Sequence, residues 1–400
     1  MNPAQDFGIY LHIPFCHSIC HYCDFSKTAN FSDGHVDRYF EKLESQLSEA
    51  LSLSNKWQHP KASTIFFGGG TPGMFDKEYR KIFDLLLPQI ASDSEISIEA
   101  NPEDISEERL QYWRSLGINR LSMGVQSFLP KGLKFLTRNH QVGDTVKAIE
   151  LALKYFPNLN IDLIYGWEGE SVENFMSDIA RAESLGINHL SLYNLTYEPG
   201  TTLGRKESRG LVHADADEHL EKLYLGAVEK LRGPWIHDEV SNWSREGHSC
   251  KHNWIYWQGG YFWGLGSGAH GYLPSDSSHG IRFSFPKDFR RYLNSDLLDT
   301  SQESSLSQDL RALGAIVDEE RGAEDWLLEF VGSGLRSRMG VSISHIESIL
   351  KCKFLPSKIL QFGIDKGLVD YRKGRLYLSP SEWFRENRWS LELAMSFNYS

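Results

Sequence analysis

The sequence predicts an α/β protein: a partial six-unit (β/α) TIM-like barrel followed by a smaller C-terminal α+β domain of winged-helix-like pattern. Three observations predict it. The first half repeats one unit, a short β-branched and aromatic run, a loop rich in Gly, Pro or polar residues, then a longer segment with helical spacing. Serial βα units demand a parallel sheet, because each crossover helix returns the chain to start the next strand in the same direction. Finally, Cys16, Gly68 to Thr71, Asn101, Gln126, Gly166 and Asn194 all fall at or just past strand C-terminal ends. In a barrel that rim is where chemistry is assembled.

The strand-like runs are residues 7–13, 63–67, 95–100, 119–125, 160–165 and 189–195. Between them lie helix-like segments 36–50, 77–87, 107–116, 144–153 and 172–185, which close near Pro88, Gly117, Pro157 and Gly186. In the first of these, Val36, Tyr39, Phe40, Leu43, Leu47 and Ala50 recur at three- and four-residue steps and line one face. After Thr201 the alternation fades. Residues 215–231 read as a helix, and 236–271 are dense in Trp, Tyr, His and Gly, a mixture suited to a lid or a cofactor pocket. Segments 306–317 and 325–338 read as helices, and 344–379 as helix, helix, hairpin with Lys373 and Gly374 at the turn. The expected division is 1–288 for the barrel with its aromatic extension and 289–400 for the second domain.

Composition bounds the function. With 40% hydrophobic and 24% charged residues, the 400-residue chain is ordinary globular material. Its 42 Lys and Arg against 53 Asp and Glu leave a net charge of −11, which argues against nucleic acid as a partner and against a broad grip on an anionic surface. A winged helix often serves on DNA, yet residues 301–400 hold 13 basic against 14 acidic residues, so that role lacks its charge. No run reaches the ~18 apolar residues of a spanning helix, and residues 1–7 show neither a basic region nor a cleavage pattern. A soluble, cytoplasmic protein is expected.

Five cysteines, with Cys250 and Cys352 alone, do not form a disulfide framework. Cys16, Cys20 and Cys23 form C-x3-C-x2-C just after the first strand, a spacing with about one chance in a thousand at this cysteine frequency. A zinc site completed by His17 or His21 is one reading. The other is a [4Fe–4S] cube held at three corners by thiolates, whose fourth iron has no protein ligand and is open to a small chelating molecule.

At this point the sequence resembles the radical S-adenosylmethionine (SAM) superfamily, in which such a triad holds the cluster and the open iron binds SAM. Further matching strings follow in order: Gly68-Gly69-Gly70-Thr71-Pro72, Glu99-Ala100-Asn101-Pro102, Gln126 in G-V-Q-S-F, then Arg138 and Asp162. The resemblance implies that Gly69, Gly70 and Thr71 meet the SAM amino group, Arg138 its carboxylate, and Asp162 and Glu99 its ribose or amino groups. It also makes Gln126 a SAM contact and sets Tyr10 and Tyr22 beside the adenine and the cluster.

Within the superfamily the chain is similar to the group holding oxygen-independent coproporphyrinogen III oxidase and the HemW heme chaperones. The strings L-H-I-P-F-C, D-L-I-Y-G and Y-N-L-T-Y-E-P-G-T carry the likeness. The oxidase has a further cysteine two residues after the triad, where this chain has Phe25, as in the chaperones. The string His252-Asn253-x-x-Tyr256-Trp257 points the same way. Imidazole is a good axial ligand for heme iron and aromatics stack on porphyrin. The resemblance therefore implies a heme chaperone: a [4Fe–4S] cluster and SAM at the barrel mouth, heme near His252 with His252 as iron ligand, and delivery to apo-hemoproteins. It allows peripheral membrane contact at most and a homodimer. The alternative is a radical enzyme that decarboxylates porphyrinogen propionates. One departure stands out: Gly166-Trp167-Glu168-Gly169-Glu170 replaces the family's G-L-P-G-Q.

Overall fold

The computed structural model describes residues 6–275, 279–295 and 304–398; the first five residues, read above for a targeting signal, lie outside that set. Six strands and their helices alternate as expected. They are β1 (Phe7–Ile13), α1 (Asp33–Lys56), β2 (Ala62–Gly69), α2 (Tyr79–Leu86), β3 (Ile90–Ala100), α3 (Glu107–Leu116), β4 (Arg120–Gln126), α4 (Pro130–Phe135), α5 (Val142–Tyr155), β5 (Leu159–Tyr165), α6 (Val172–Ser184) and β6 (His189–Asn194). Neighbours in sequence pair in parallel throughout. α7 (Thr202–Glu207) and α8 (Asp217–Lys230) follow.

The period of two along β1 sorts its side chains. Ile9, Leu11 and Ile13 are buried in one core with Val36, Tyr39, Leu43 and Leu47 of α1. Tyr10 turns to the opposite face and stacks on Phe66 of β2, ring centroids 6.2 Å apart. The helices thus cover the outside and leave a second, more polar set of side chains to fill the barrel.

The aromatic region after α8 is mostly sheet. It forms β7 (Ile236–Glu239), β8 (Asn242–Ser244), α9 (Lys251–Trp257), β9 (Tyr261–Leu265) and β10 (His270–Leu273). β8 adds antiparallel to the β6 edge and β7 antiparallel to β8, whereas β9 adds parallel to β1, making a run of seven parallel strands. β11 (Ile281–Ser284), α10 (Phe289–Leu293), α11 (Leu306–Ala312) and β12 (Ile316–Glu320) continue from there. The helix expected over 306–317 therefore ends early. Gly314 sits at φ +82°, a conformation that breaks helix, and the chain then pairs with β11.

α12 (Ala323–Leu335), β13 (Val341–Ser342), α13 (Ile343–Leu350), α14 (Lys358–Asp365), β14 (Val369–Arg372), β15 (Arg375–Leu378) and α15 (Glu386–Ala394) form the rest, with the expected helix, helix, hairpin order. Lys373 and Gly374 take φ +49° and +73°, the left-handed pair a two-residue hairpin turn needs. This part has its own core around Leu327, Val331, Leu360, Trp383 and Trp389. It is docked on the β7 edge, where Val240 N–H donates to Arg336 O and Arg338 Nε to Asp238 Oδ1, at 3.0 and 2.8 Å. No helix among the described residues is long and apolar enough to cross a membrane.

Phe289, Tyr292, Leu306, Leu310 and Leu313 are buried with the barrel core, not the second one. By core membership the division expected after residue 288 falls after residue 320. A fragment ending at 320 should accordingly give a cooperative thermal transition. One ending at 288 exposes the apolar partners of those residues and should melt at lower temperature or aggregate.

Candidate functional site

The loop after β1 carries the three cysteines and is pinned by backbone bonds. Cys16 N–H donates to Thr28 O at 3.0 Å, Thr28 N–H to Pro14 O at 2.7 Å, and Leu203 N–H to His21 O at 2.8 Å. His21 N–H reaches Thr137 Oγ1 at 3.1 Å, and the His17 ring meets the Asp104 carboxylate at 2.9 Å. All three thiols are free, half-buried, and face one cavity of about 480 Å³ at the C-terminal end of the parallel strands. Burial pushes the Cys16 thiol up to about 11 and raises Cys23 as well.

The glycine turn after β2 is interlocked with this loop. Gly70 N–H donates to Ile13 O and Thr71 N–H to Phe15 O, both at 2.7 Å. A side chain at Gly70 would stand 2.6 Å from Phe15 O, and Gly69, at φ +116°, has the His12 ring 2.5 Å from where a Cβ would be. Gly69 N–H donates to Glu99 Oε2 at 3.0 Å. Glu99 is held up to about 8, first by burial and then by the nearby Asp162 carboxylate. Asp162 is also raised by burial, although it accepts from Asn160 Nδ2 at 2.8 Å.

Arg138 joins the two halves of the rim. Its guanidinium donates to Cys20 Sγ at 3.4 Å and to Gly124 O at 3.0 Å, and it also bonds Asn101 Oδ1. Asn101 in turn donates to Thr71 Oγ1 at 3.3 Å. Around this frame three buried polar atoms have no protein partner: Arg138 Nε, Gln126 Oε1 and Asn194 Oδ1, all from residues lining the cavity. Gln126 also sits at φ +68°, a strained setting for a side chain of its size. A pocket with unpaired donors and acceptors beside a row of thiols fits a polar ligand bound next to a sulfur-ligated centre. Of the two histidines offered as a fourth ligand in the zinc reading, His17 meets Asp104, whereas neither ring nitrogen of His21 has a hydrogen-bond partner.

The structure therefore brings Cys16, Cys20, Cys23, Tyr22, Gly69, Gly70, Thr71, Glu99, Gln126, Arg138 and Asp162 to one cavity. Tyr10 lies beneath it, in a cluster of three rings with Phe66 and His252. Sequence reasoning passed over Ser122, Glu103, Tyr193 and Glu198, which line the same mouth. The signal for two of them was within reach, since Tyr193 and Glu198 belong to the Y-N-L-T-Y-E-P-G-T string.

His252, Asn253, Tyr256 and Trp257 are elsewhere. α9 lies inside the barrel against the N-terminal halves of β1 to β3. Glu95 of β3 accepts from Lys251 N–H and His252 N–H, both at 3.2 Å, and the site of a Cβ on Gly8 is 3.2 Å from the His252 ring. His252 is only 1% exposed. One ring nitrogen meets Thr64 Oγ1 and the other Tyr256 Oη, each at 2.7 Å, and the ring is stacked on Phe66. Burial holds its pKa down to about 3. Both nitrogens are thus engaged within the protein and the ring lines neither the mouth cavity nor the opening beside α12, so ligation of iron by His252 would require it to leave Thr64 or Tyr256. Tyr256 and Trp257 do border an opening of about 250 Å³ between α9, β9 and α12, with Trp326 and Phe330 opposite, while Asn253 is half-buried outside that lining.

The loop that departs from the family is self-supporting. Trp167 is fully buried among Leu136, Ile164, Leu195 and Leu203. Glu170 Oε2 accepts from Gly166 N–H at 2.6 Å, and burial pushes its pKa up to about 8.

Comparison with known proteins fits this geometry. The Radical SAM superfamily model matches residues 10–182. A parallel barrel whose mouth is closed by a cysteine loop and a glycine turn, matched over that span, makes the chain a radical SAM protein, and the superfamily implies a [4Fe–4S] cluster and SAM. A heme chaperone HemW from Mycobacterium tuberculosis is 39% identical over 280 residues, 68% of this chain and 70% of the relative. One from Synechocystis is 33% identical over 387 residues, 93% and 89% of the two chains. The chain belongs to the HemW family. Coproporphyrinogen III oxidase from Escherichia coli has the same fold, with TM-score 0.75 at 20% identity over 98% of this chain and 91% of that one.

Two measurements check the site. A carboxyl whose pKa rises on folding, from 4.5 to about 8 for Glu170, destabilises the native state increasingly as pH climbs through that interval. Glu170→Gln should therefore melt higher than the parent above pH 8 and converge with it below pH 4.5. His252→Ala leaves the Thr64 and Tyr256 hydroxyls unpaired in the barrel and opens a void. It should cost about 2–4 kcal/mol in denaturant unfolding.

Proposed function

We propose that this chain is a cytoplasmic heme chaperone: it holds a SAM-coordinating [4Fe–4S] cluster at the barrel mouth and carries heme to apo-hemoproteins. The observation that carries the reading is the HemW relative from Synechocystis, a named heme chaperone alignable over 93% of this chain. The convergence of the cysteine loop, Gly69, Gly70, Arg138 and Asp162 on one cavity supports the cluster and SAM.

Cys16, Cys20 and Cys23 would ligate three irons of the cluster, and the fourth iron would offer SAM a place to chelate. Bound there, cluster and SAM supply one-electron chemistry. The protein's own part is positional. Arg138 presents a buried positive charge for a carboxylate, and the unpaired Gln126 and Asn194 oxygens accept from ligand hydroxyl or amino groups. Glu99 and Asp162 add acceptors deeper in the barrel. For heme, the aromatic opening bordered by Tyr256, Trp257, Trp326 and Phe330 is better placed than His252, because it reaches the surface between the two domains.

The oxidase alternative rests on a shared fold at 20% identity and, as noted, Phe25 replaces its extra cysteine. Phe25 is 69% exposed on the rim.

Anaerobically reconstituted protein should show cubane absorption and EPR signals, lost when the three cysteines are changed to serine. Arg138→Gln should retain the cluster but bind SAM on the order of 10- to 100-fold more weakly, since hydrogen bonds to a charged group are worth about 1.5–3 kcal/mol. Heme titration should give a Soret band unaltered by His252→Ala, followed by transfer to an apo-hemoprotein. Decarboxylation of coproporphyrinogen III by the SAM-loaded protein, without heme transfer, would reverse the assignment.

A further inference from the structure

The second domain carries an apolar face that neither core uses. Leu355, Ile359, Phe362, Leu391 and Met395 are 63, 43, 53, 56 and 66% exposed, values far from those of core side chains of the same types. They are brought together by a clamp between the turn before α14 and the end of α15. Leu355 N–H donates to Ser396 O at 2.7 Å, Ser357 N–H to Ser396 Oγ at 3.0 Å, and Ser357 Oγ to Glu392 Oε2 at 2.7 Å. Leu391 and Met395 are one helical turn apart on that end of α15. Ile359 and Phe362 follow Leu355 on the outer side of α14, opposite buried Leu360 and Gly363.

The charge around this face contrasts with the rest of the molecule. Residues 341–398, which include both helices, hold nine Lys and Arg against six Asp and Glu, a net of +3 in a chain whose total is −11. Lys351, Lys353, Lys358, Lys366 and Arg388 are all exposed, and none makes an ion pair among the described residues. Lys366 Nζ lies 5.7 Å from the Phe362 ring, so cation and apolar tip share one side of α14.

We propose that this face of α14 and α15 docks the protein on an anionic lipid bilayer, with Leu355, Ile359, Phe362, Leu391 and Met395 entering the headgroup boundary and the surrounding lysines meeting lipid phosphates. Aliphatic and aromatic tips beside unpaired lysines are the arrangement interfacial helices use. Two other occupants fit less well. A helix reading DNA carries polar groups for base edges, where α14 presents Ile359 and Phe362. A tight protein partner seats its anchors in pockets, and none of these five side chains lines the cavity at the mouth or the opening between the domains. The inference is independent of the heme assignment.

The test is flotation of the full-length protein with vesicles of phosphatidylcholine alone and of equimolar phosphatidylcholine and phosphatidylglycerol. Binding is expected to the anionic vesicles and to weaken with added salt. Leu355→Ser combined with Phe362→Ser, and separately Lys358→Glu combined with Lys366→Glu, should each weaken it by on the order of tenfold or more. Because all four positions are exposed, circular dichroism and the melting temperature should stay those of the parent. Failure of the parent to float with anionic vesicles at low salt overturns the proposal and leaves the face to a protein partner. Equal flotation of parent and both variants places any lipid contact elsewhere and overturns it too.

Discussion

Two backbone hydrogen bonds, Gly70 N–H to Ile13 O and Thr71 N–H to Phe15 O, hold the cysteine loop against the glycine turn. They exist only because no side chain intervenes: a Cβ on Gly70 would collide with Phe15 O. The position of the thiols over the barrel, the N–H that Gly69 offers to Glu99, and the reach of Arg138 to Cys20 all depend on this close approach. A loop tethered only at its ends would spread the cysteines over many arrangements and lose the entropy of ordering on each encounter with iron.

The two ends of the barrel are built on different physics. The mouth gathers charged and polar groups whose hydrogen bonds are incomplete, a costly state that a bound polar ligand relieves. The far end is closed by α9, whose first N–H groups are met by the Glu95 carboxylate and whose His252 is satisfied on both nitrogens. The two ends are joined through a cluster of stacked rings, in which Tyr10, Phe66 and His252 each touch the other two. A change at the mouth and one at α9 that share these rings should not be expected to act independently.

Legibility followed the range of the interactions. The βα alternation and the stripe on α1 were plain, because a strand or helix advertises its buried face within a few residues. The hairpin turn at Lys373 and Gly374 was equally local. The helix over 306–317 was misread because its apolar spacing continues past Gly314, and only pairing with β11 shows the chain to be extended there. β9 was missed for the same reason: its partner β1 is some 250 residues away in sequence, so no local pattern announces the bond. For His252 the difficulty is of another kind. Its neighbours in sequence suggested a heme pocket, while Thr64 and Phe66, which occupy the ring, come from a strand nearly two hundred positions earlier.

The linear pattern alone was enough for the parallel sheet and for three thiols in one loop, each written in a short string, while the segments that would surround a bound SAM were legible only through the resemblance to the radical SAM superfamily. Tertiary structure decided which of the aromatics and histidines face ligand and which face one another, where the two cores part after residue 320, and that α14 and α15 share an uncovered apolar face. The reason is that whether a side chain is available or already partnered depends on contacts closed between distant segments, and a linear pattern carries no record of which segments meet.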